Sequence, residues 1–504
     1  MASVEQEHSR SLWMDEPAID APPLDGDATV DALVIGAGIA GLITAYELAL
    51  IGRAVTVIDR GRLGRGMTAR TSAHLSFELD NFYSELEDLR GRDAAKRWYA
   101  SQSAAVDRIE AICRDERIAC DFARLDGYLV PAEEADVDLL HDELEAARAC
   151  GYADAAWVDA GQQPWLTTPA IRFPRQARFH PMKFLNGVIA ALRRRGAQLY
   201  ANTGIVSLDE KGGSVTAKTE RGAVIGAKDV IVATNAPFHL KAAIHSKQAP
   251  YRTYVIAAPV PKGEVADVLL WDTLDPYHYV RIEPGEREDV LIVGGEDHKS
   301  GEADDIGERL GRLEQWMRER YPASGVVSHR WSGQVYEPED YVAFIGKSPE
   351  HERVFVVTGD SGQGLTTGVA AALLLRDLVA GKRNPWAELY DPLRKFSQNM
   401  AETVKENVDT AKEWVAGFGG GEAQSVDDVL PGSGALVKID GRMNAVHRAN
   451  TGAVTRRLAA CTHAGCMVHW NGFEECWDCP CHGSQFSADG EPLQAPAVLA
   501  LGEP

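Results

Sequence analysis

The chain has 504 residues, of which 45% are hydrophobic and 25% are charged. This length predicts roughly two to four domains, and the composition is typical of a soluble globular protein. The formal net charge is −22 and the pI is about 5.1. A nucleic-acid partner is therefore not expected, because binding to phosphate backbones depends on clustered Lys and Arg.

Residues 1–30 form a polar N-terminal leader. The first 20 of them (MASVEQEHSRSLWMDEPAID) contain neither a basic n-region nor an apolar h-region, so the sequence does not predict a secretory signal. Elsewhere no apolar run reaches the ~20 residues that a membrane helix needs. We therefore expect a cytoplasmic protein without a membrane span.

A strand–helix–strand unit follows the leader. Residues 31–35 (DALVI) are apolar and bounded by turn signals, as in a buried parallel strand. Residues 36–52 (GAGIAGLITAYELALIG) open with glycines and continue as an apolar helix, and residues 54–59 (AVTVID) form a second strand. The unit spans about 30 residues, which is the length of a βαβ crossover.

The glycines of this unit predict a dinucleotide-binding site. Gly36 permits the tight turn, Gly38 lets the backbone approach a pyrophosphate, and Gly41 allows close helix–strand packing. The helix N-terminus offers amide donors to phosphates. Asp59 ends the second strand, where an acid can accept hydrogen bonds from ribose hydroxyls. A glycine turn without a ligand is the alternative, and the fingerprint alone does not separate FAD from NAD.

The middle of the chain mixes helices with a second sheet. Residues 75–151 are predicted to be helical and charged. Residues 251–293 alternate and are rich in Tyr, Val, Ile and Trp, which favours a mostly antiparallel sheet. Apolar strands are predicted at residues 224–234 and 354–358, and a glycine-rich turn followed by an apolar helix at residues 360–381.

From about residue 25 to residue 395 the chain resembles the D-amino-acid oxidase/glycine oxidase-like family of FAD-dependent oxidoreductases. The resemblance is carried by VIGAGIAGL near the start, GMTARTSAH at residues 66–74, DVIVATNAP at residues 229–237 and VTGDSGQGLTTG at residues 357–368. It implies FAD as the cofactor. It also implies a Rossmann-like FAD-binding domain (about residues 31–75, 175–240 and 340–395) with an antiparallel-sheet substrate domain between these parts.

The same resemblance assigns residues to the flavin. The turn containing Gly362, Gly364 and Leu365 is expected beside the flavin pyrimidine edge and ribityl chain. The loop at residues 66–74 is expected to flank the flavin, with Thr68 and Arg70 as candidate contacts, although the family's common S-G-R-N-G-G form is replaced here.

Three further residues are candidates near the flavin. His74 is expected to pack or hydrogen-bond there, and covalent attachment of FAD through this histidine is the alternative. An Arg in the substrate sheet of this family commonly clamps a substrate carboxylate, as the fork geometry of guanidinium permits. Arg281 is the first candidate for a catalytic or substrate-binding role and His298 the second. A purely structural role for both is an equal alternative.

A linker follows the oxidoreductase part. Residues 396–418 predict an amphipathic helix, and the three glycines at 419–421 predict a flexible joint within a linker of residues 396–422. Residues 423–504 form a separate small unit with short β-like runs. A tether of this kind raises the effective concentration of one domain near the other, to roughly millimolar.

Five of the eight cysteines fall within residues 461–481. In a chain without an export signal, such a cluster favours metal binding over a disulfide framework. The segments CTHAGC and CPCHGS each offer one thiolate and one imidazole, which is the ligand set of a Rieske [2Fe–2S] centre. The ligands are Cys461, His463, Cys479 and His482. A zinc site competes, but structural zinc favours C-x₂₋₄-C and H-x₃₋₅-H spacings.

These two loops closely resemble the Rieske proteins of respiratory cytochrome bc complexes. The resemblance implies a disulfide between Cys466 and Cys481, and a hydrogen bond from Ser484 to a bridging sulfide. Phe486 stands where those proteins have a tyrosine, so a reduction potential lowered within the Rieske range is expected. Cys476 has no assigned role, and Cys113, Cys120 and Cys150 are expected to be inert thiols.

Taken together, the motifs predict a two-part redox enzyme of α/β plus all-β class. FAD takes a hydride from a small amine or amino-acid substrate, and a tethered Rieske cluster takes the electrons singly for an unidentified acceptor. Two alternatives stay open. The first is a non-enzymatic redox sensor or electron carrier, and the second is a flavin–Rieske reductase fed by an external donor such as NAD(P)H. The sequence contains no second βαβ fingerprint, so it does not predict a separate nicotinamide site.

Overall fold

The structure is a computed structural model that describes residues 7–240, 244–302, 305–395 and 421–504. The predicted linker helix at residues 396–418 lies outside this range. Within it, every helix is too short or too polar to span a membrane.

The first part of the chain, to residue 178, contains both helices and strands. Its elements in chain order are β1 (Ala28–Ile35), α1 (Ile39–Leu50), β2 (Val55–Ile58), β3 (His74–Leu75), α2 (Tyr83–Arg90), α3 (Arg92–Glu116), β4 (Ala123–Val130), α4 (Val137–Ala149), β5 (Ala156–Val158) and β6 (Ala170–Arg178).

The second part, to residue 395, contains most of the strands. Its elements are α5 (Pro181–Arg194), β7 (Gln198–Tyr200), β8 (Ile205–Lys211), β9 (Ser214–Thr219), β10 (Val224–Val232), β11 (Gln248–Pro261), β12 (Leu269–Asp272), β13 (His278–Glu283), β14 (Glu288–Lys299), α6 (Ile306–Arg320), β15 (His329–Pro338), β16 (Phe344–Lys347), β17 (Val354–Thr358), α7 (Gly364–Val379) and α8 (Ala387–Tyr390).

The C-terminal part forms a small all-β unit. Its strands are β18 (Ser433–Ile439), β19 (Arg442–Arg448), β20 (Val454–Leu458), β21 (His469–Asn471), β22 (Cys476–Asp478), β23 (Gln485–Ser487) and β24 (Pro492–Gln494). They pair as two antiparallel sheets, β18-β19-β20 and β21-β22-β23-β24.

The first sheet of the oxidoreductase part has the order β16-β17-β10-β1-β2-β7. Strands β17, β10, β1, β2 and β7 run parallel, and residues 32–35 of β1 are buried. Helices α1 and α7 pack together over one face of it. A continuous apolar run is the expected pattern for a parallel strand covered on both faces. The carboxyl ends of β1, β2 and β17 therefore meet at one edge of this sheet.

The second sheet has the order β15-β11-β14-β13-β12-β4-β6-β3 and is mostly antiparallel. Its β4 (Ala123–Val130) lies inside the segment predicted to be helical, so that prediction is wrong there. β4 pairs with β12, whose residues lie about 140 positions later in the chain, and with β6. Gly127 leaves room for the ring of Trp271, because a Cβ at Gly127 would lie 2.5 Å from it. Partners this distant leave no local signal in the sequence.

The leader is an integral part of the fold. Leu12–Asp15 forms a 3₁₀ turn, and Trp13 is fully buried. The indole N–H of Trp13 donates to the carbonyl of Thr71 at 2.6 Å, and its ring lies 5.0 Å from the ring of His180. The leader therefore contributes buried apolar surface to the oxidoreductase part.

Candidate functional site

The glycine turn after β1 opens onto a large cavity between the two sheets of the oxidoreductase part. A Cβ at Gly36 would lie 2.2 Å from the carbonyl oxygen of Ala233, and a Cβ at Gly41 would lie 1.9 Å from that of Gly36. A Cβ at Gly38 would meet only the Thr68 hydroxyl, at 3.1 Å. The protein itself therefore needs Gly36 and Gly41, whereas Gly38 leaves open space towards the cavity.

Asp59 follows β2 and lines the same cavity. Its carboxylate accepts from the backbone N–H of Ala37 at 2.7 Å and from that of Gly61 at 2.8 Å. Thr68 lies on the far side of the turn, and its hydroxyl accepts from the N–H of Ile39 at 3.0 Å. Both side chains thus hold the turn in shape at the N-terminus of α1, where backbone amides suit a pyrophosphate.

A second glycine turn, at the carboxyl end of β17, lines the cavity with Gly362, Gly364 and Leu365. Gly362 has φ of 78°, which favours glycine. A Cβ at Gly362 would lie 2.2 Å from Asp80 Oδ2, and one at Gly364 would lie 2.4 Å from Asp360 Oδ2. The missing side chains leave room for these two carboxylates, which lie against the backbone of the turn.

His74 also lines the cavity. Its Nε2 lies 3.3 Å from the carbonyl oxygen of Val280, and its Nδ1 lies 3.1 Å from the hydroxyl of Ser72. Burial, reinforced by the nearby Arg281 guanidinium, lowers the pKa of His74 to about 3, so the ring is neutral near pH 7. These contacts are those of a packed, hydrogen-bonded histidine.

Arg70 has a different environment from the predicted one. Its guanidinium is fully buried and pairs with Glu7 at 2.9 Å and with Glu474 at 3.2 Å. The latter belongs to the C-terminal unit. Although Arg70 borders the cavity, its charge is committed to these carboxylates, so the structure does not support a flavin contact through the guanidinium.

The predicted substrate residues Arg281 and His298 lie outside the cavity lining. Arg281 donates to the carbonyl oxygens of Ala73 at 2.8 Å and Phe179 at 3.3 Å, and it pairs with Glu283. His298 Nε2 lies 2.9 Å from the Tyr254 hydroxyl, and its Nδ1 lies 2.8 Å from the carbonyl oxygen of Lys299. Their polar atoms are occupied by the protein, so the structure does not support a substrate clamp at either position.

Other residues, which were not among the candidate site residues, occupy that part of the cavity. They are acidic or aromatic and come from three separate segments: Glu78, Asp80, Trp271, Tyr277, Tyr279 and Asp297. No motif marks them, because they converge only through the pairing of distant strands.

The two cysteine–histidine loops of the C-terminal unit face each other. The structure contains the disulfide between Cys466 and Cys481 that the resemblance implies, with an S–S distance of 2.06 Å. The loops have matching turns, in which the N–H of Gly465 donates to the carbonyl of Cys461 at 2.8 Å and the N–H of Gly483 to that of Cys479 at 3.0 Å. The disulfide thus joins two similar loops.

The donor atoms fit a Rieske cluster. The rings of His463 and His482 lie 5.0 Å apart, and both Nδ1 atoms are buried without a hydrogen-bond partner. Cys461 and Cys479 are buried and outside the disulfide. Buried polar atoms are normally satisfied, so two orphaned imidazole nitrogens beside two free cysteines indicate a metal cluster that takes all four.

Ser484, Phe486 and Cys476 surround these loops. The Ser484 hydroxyl accepts from the N–H of Ala497 at 3.0 Å, which leaves its proton for another acceptor. Phe486 is fully buried. Cys476 is also fully buried, and its sulfur lies 3.6 Å from an oxygen of Asp478. The structure therefore places Cys476 in a polar cluster beside the loops.

The loop tips are covered by the oxidoreductase part. The ring of His245 lies 4.9 Å from that of His463 and 5.4 Å from that of His482. His463 Nε2 lies 3.3 Å from the carbonyl oxygen of Leu240. The Tyr336 hydroxyl donates to the carbonyl of His482 at 3.1 Å. Both candidate histidine ligands therefore touch the other domain.

Buried ion pairs join the same two parts. Arg252 donates to both carboxylate oxygens of Asp478 at 3.0 Å and to the Ser332 hydroxyl at 2.7 Å. The side chains of Arg252 and Glu474 are fully buried, and that of Asp478 is 3% exposed. The C-terminal unit is thus docked on the oxidoreductase part in addition to being joined by the linker.

The C-terminal unit also completes the wall of the cavity. The lining includes four of its residues, Leu493, Gln494, Ala495 and Val498, beside Gly333, Val335 and Glu337 of β15. The Arg60 guanidinium donates to the carbonyl of Pro492 at 3.1 Å across this junction. The cavity and the cysteine–histidine loops therefore share one wall.

Comparison with known proteins agrees with this geometry. Residues 31–378 match the family model described as FAD dependent oxidoreductase, and residues 422–503 match that of the Rieske [2Fe-2S] domain. YhfW of Bacillus subtilis (strain 168), whose name describes a Rieske 2Fe-2S iron-sulfur protein, is 31% identical over 484 residues, covering 95% of this chain and 94% of the relative.

Two further relatives cover the oxidoreductase part. The gamma-glutamylputrescine oxidoreductase of Escherichia coli (strain K12) is 24% identical and covers 74% of this chain and 90% of its own length. The crystal structure of glycine oxidase from Geobacillus kaustophilus superposes with a TM-score of 0.62 at 17% identity, covering 73% of this chain and all of that one. The comparisons confirm the predicted fold class, the FAD cofactor and the Rieske cluster, and the chain belongs to the FAD-dependent oxidoreductase family that includes glycine oxidase, with a Rieske [2Fe–2S] domain at its C-terminus.

Proposed function

We propose that this protein oxidises a C–N bond of a small amine or amino-acid-like substrate by hydride transfer to FAD, and passes the electrons singly to its Rieske cluster. The observation that carries the proposal is the shared wall, in which residues of the Rieske domain line the cavity of the oxidoreductase part. When bound, FAD accepts two electrons as a hydride and releases them one at a time, and the cluster carries one electron.

The chain's own residues bind and orient the flavin in this proposal. The turn at Gly36 and Gly38 and the N-terminus of α1 receive the pyrophosphate, and Asp59 accepts from a ribose hydroxyl. The turn at Gly362 and Gly364 receives the flavin edge. Leu493, Gln494, Ala495 and Val498 of the Rieske domain complete the wall of this cavity.

Strand β15 supports an electron path between the two sites. Gly333, Val335 and Glu337 line the cavity, while Tyr336 bonds to the His482 carbonyl. Gln334 donates to the carbonyl of Gly483 at 2.8 Å. Gln334 lines the cavity as well, so β15 contacts both the FAD cavity and a cluster loop, and Gln334 touches both.

The names of the relatives support the reaction class. Glycine oxidase and gamma-glutamylputrescine oxidoreductase are named for an amino acid and for an amine. Both relatives are 24% identical to this chain. This similarity supports a substrate with an oxidisable C–N bond and does not identify the substrate.

Anaerobic mixing of the holoprotein with a panel of amines and amino acids tests the proposed function. We expect at least one of them to bleach the flavin absorbance, followed by the electron paramagnetic resonance signal of a reduced Rieske cluster. Bleaching by NAD(P)H and by no amine or amino acid would instead favour the reductase alternative. No bleaching by any donor would favour the sensor.

Replacing Gly38 by Val is expected to lower the affinity for FAD by about 10- to 100-fold, since overpacking costs about 1–3 kcal/mol. The new side chain would project into the space beside Thr68 that the turn leaves open. The ratio of flavin to protein absorbance measures this. Gly307→Val is the control, because a Cβ at this exposed position of α6 meets nothing within 4 Å. Equal flavin content in both variants would place the dinucleotide elsewhere.

A further inference from the structure

The part of the cavity beside the Gly362 turn is acidic. Three carboxyl groups line it beside Asp360 of the turn itself: Glu78 and Asp80 precede α2, and Asp297 lies on β14. Asp80 accepts from the Tyr277 hydroxyl at 3.0 Å and from the Gln363 amide at 2.7 Å. These contacts hold Asp80 in place but supply no positive charge.

Two of these three carboxyl groups carry an oxygen that lacks a hydrogen-bond partner, and so does Asp360 in the Gly362 turn, at its Oδ1. Glu78 Oε1 and Asp297 Oδ1 are buried atoms without a donor. Glu78 as a whole is only 2% exposed, yet it lines the cavity. Leaving a buried acceptor unsatisfied costs free energy, so these two atoms indicate a ligand that donates hydrogen bonds to them.

No basic side chain among the described residues forms an ion pair with any of the three carboxyl groups. The cavity is lined by arginines of the segment at residues 60–70. Arg60 donates to the Pro492 carbonyl, Arg62 lies 3.7 Å from Asp20, Arg65 donates to the Glu16 carbonyl, and Arg70 pairs with Glu7 and Glu474. Outside the cavity lining, Arg309 donates to the backbone carbonyl of Asp297 at 3.2 Å, and its charge acts on the Asp297 carboxyl without forming an ion pair. Among the described residues, no arginine is therefore paired with this end of the cavity as a clamp for a substrate carboxylate. Carboxyl groups line it instead.

We infer that this end of the cavity, here called the acidic subsite (Glu78, Asp80 and Asp297), binds the substrate as an organic cation. The substrate class is then alkyl amines that carry a second ammonium group, in preference to α-amino acids. This inference rests on the proposed function and narrows its substrate. The rings of Tyr277 and Tyr279 line the same end of the cavity, and aromatic rings add favourable contact with a cation.

The pKa shifts of these three carboxyl groups are consistent with a cationic ligand. Burial raises the pKa of Asp80 to about 6 and that of Asp297 to about 7, and it raises the pKa of Glu78 well above its ordinary value. The ordinary cause of such shifts is the cost of an unpaired buried charge. An ammonium group beside these carboxyls would offset that cost, and a carboxylate on the ligand would add to it.

The experiment compares 1,4-diaminobutane with 4-aminobutanoate, in which a carboxylate replaces one terminal CH2–NH3+ group of the diamine. Binding of each to the FAD-loaded protein is measured by calorimetry without oxygen, and flavin bleaching is followed in parallel. We expect the diamine to bind at least about tenfold more tightly. Asp297→Asn and Glu78→Gln should each weaken diamine binding about tenfold or more, as for loss of a hydrogen bond to a charged group.

Asp138→Asn, at an exposed position of α4, is the control and should leave diamine affinity unchanged. Equal or tighter binding of 4-aminobutanoate, no binding of either compound, or unchanged diamine affinity in both subsite variants would each overturn the inference. Its failure differs from that of the proposed function. Bleaching by amino acids without diamine binding would sink only the inference, whereas diamine binding without bleaching by any amine would sink only the function.

Discussion

Replacing His482 by Ala is expected to remove the iron–sulfur cluster while the FAD site keeps its flavin. The wild-type chain should hold about two irons and two acid-labile sulfides, as a [2Fe–2S] centre requires. His482 Nδ1 is buried without a hydrogen-bond partner, so the alanine variant lacks one of the four donors. Iron and sulfide analysis, together with the flavin absorbance, measures the result.

His447→Ala is the matched control for this prediction. His447 lies in the same domain on β19, where its ring stacks 5.2 Å from that of Trp470, away from the two loops. This variant should retain both iron and flavin. Iron retained in the His482 variant would contradict the ligand assignment, and a colourless wild-type protein containing zinc would contradict the cluster itself.

Replacing Arg252 by Met is expected to destabilise the folded protein by about 3–5 kcal/mol, because removing one partner leaves a buried charge uncompensated. Arg252 binds Asp478 through two hydrogen bonds at 3.0 Å, and Glu474 lies 3.8 Å away, so Asp478 loses its counter-charge and Glu474 keeps only its pair with Arg70. The denaturation midpoint, followed by cluster and flavin absorbance, measures the loss.

The control for Arg252 is Arg97→Met. Arg97 pairs with Glu388 at 2.8 Å, and the two side chains are 42% and 85% exposed. Exposed pairs of this kind contribute only about 0–1 kcal/mol. A comparable loss in both variants would mean that the interdomain pair is no more important than one at the surface.

Both cofactor sites were predictable because their signals are local. The Gly36 to Gly41 fingerprint spans one turn, and each cysteine–histidine loop spans a few residues, so the backbone geometry follows from the spacing alone. The disulfide of Cys466 and Cys481 followed from a resemblance that covers those same loops. Local patterns of this kind do not depend on how the rest of the chain packs.

The partners that the buried arginine side chains bind could not be predicted from the sequence. Arg70 lies in a flavin-flanking motif, yet its guanidinium meets Glu474, which is 404 positions away. Arg281 has the strand position of a substrate clamp, yet the loop carbonyls of Ala73 and Phe179 bind it. Each outcome depends on which distant segment packs over the strand. For the same reason the acidic subsite left no motif.

The buried contacts of the leader and the docking of the Rieske domain could not be predicted for the same reason. Residues 7–9 looked like polar chain, but Glu7 pairs with Arg70, and Ser9 donates to Glu474 at 2.7 Å. A glycine-rich linker predicted a tether, whereas buried charges fix the Rieske domain against the FAD cavity. The electron-transfer proposal thus rests on a fixed interface as well as on effective concentration.

Light-driven reduction of the flavin tests the electron path most directly, because it requires no substrate. The holoprotein is illuminated with blue light without oxygen in the presence of EDTA, a donor to excited flavin, and frozen for electron paramagnetic resonance. We expect the electron paramagnetic resonance signal of the reduced Rieske cluster to grow as the flavin bleaches. The flavin-deficient Gly38→Val variant should show no such signal. A wild-type cluster that stays oxidised while its flavin is fully bleached would contradict transfer from flavin to cluster.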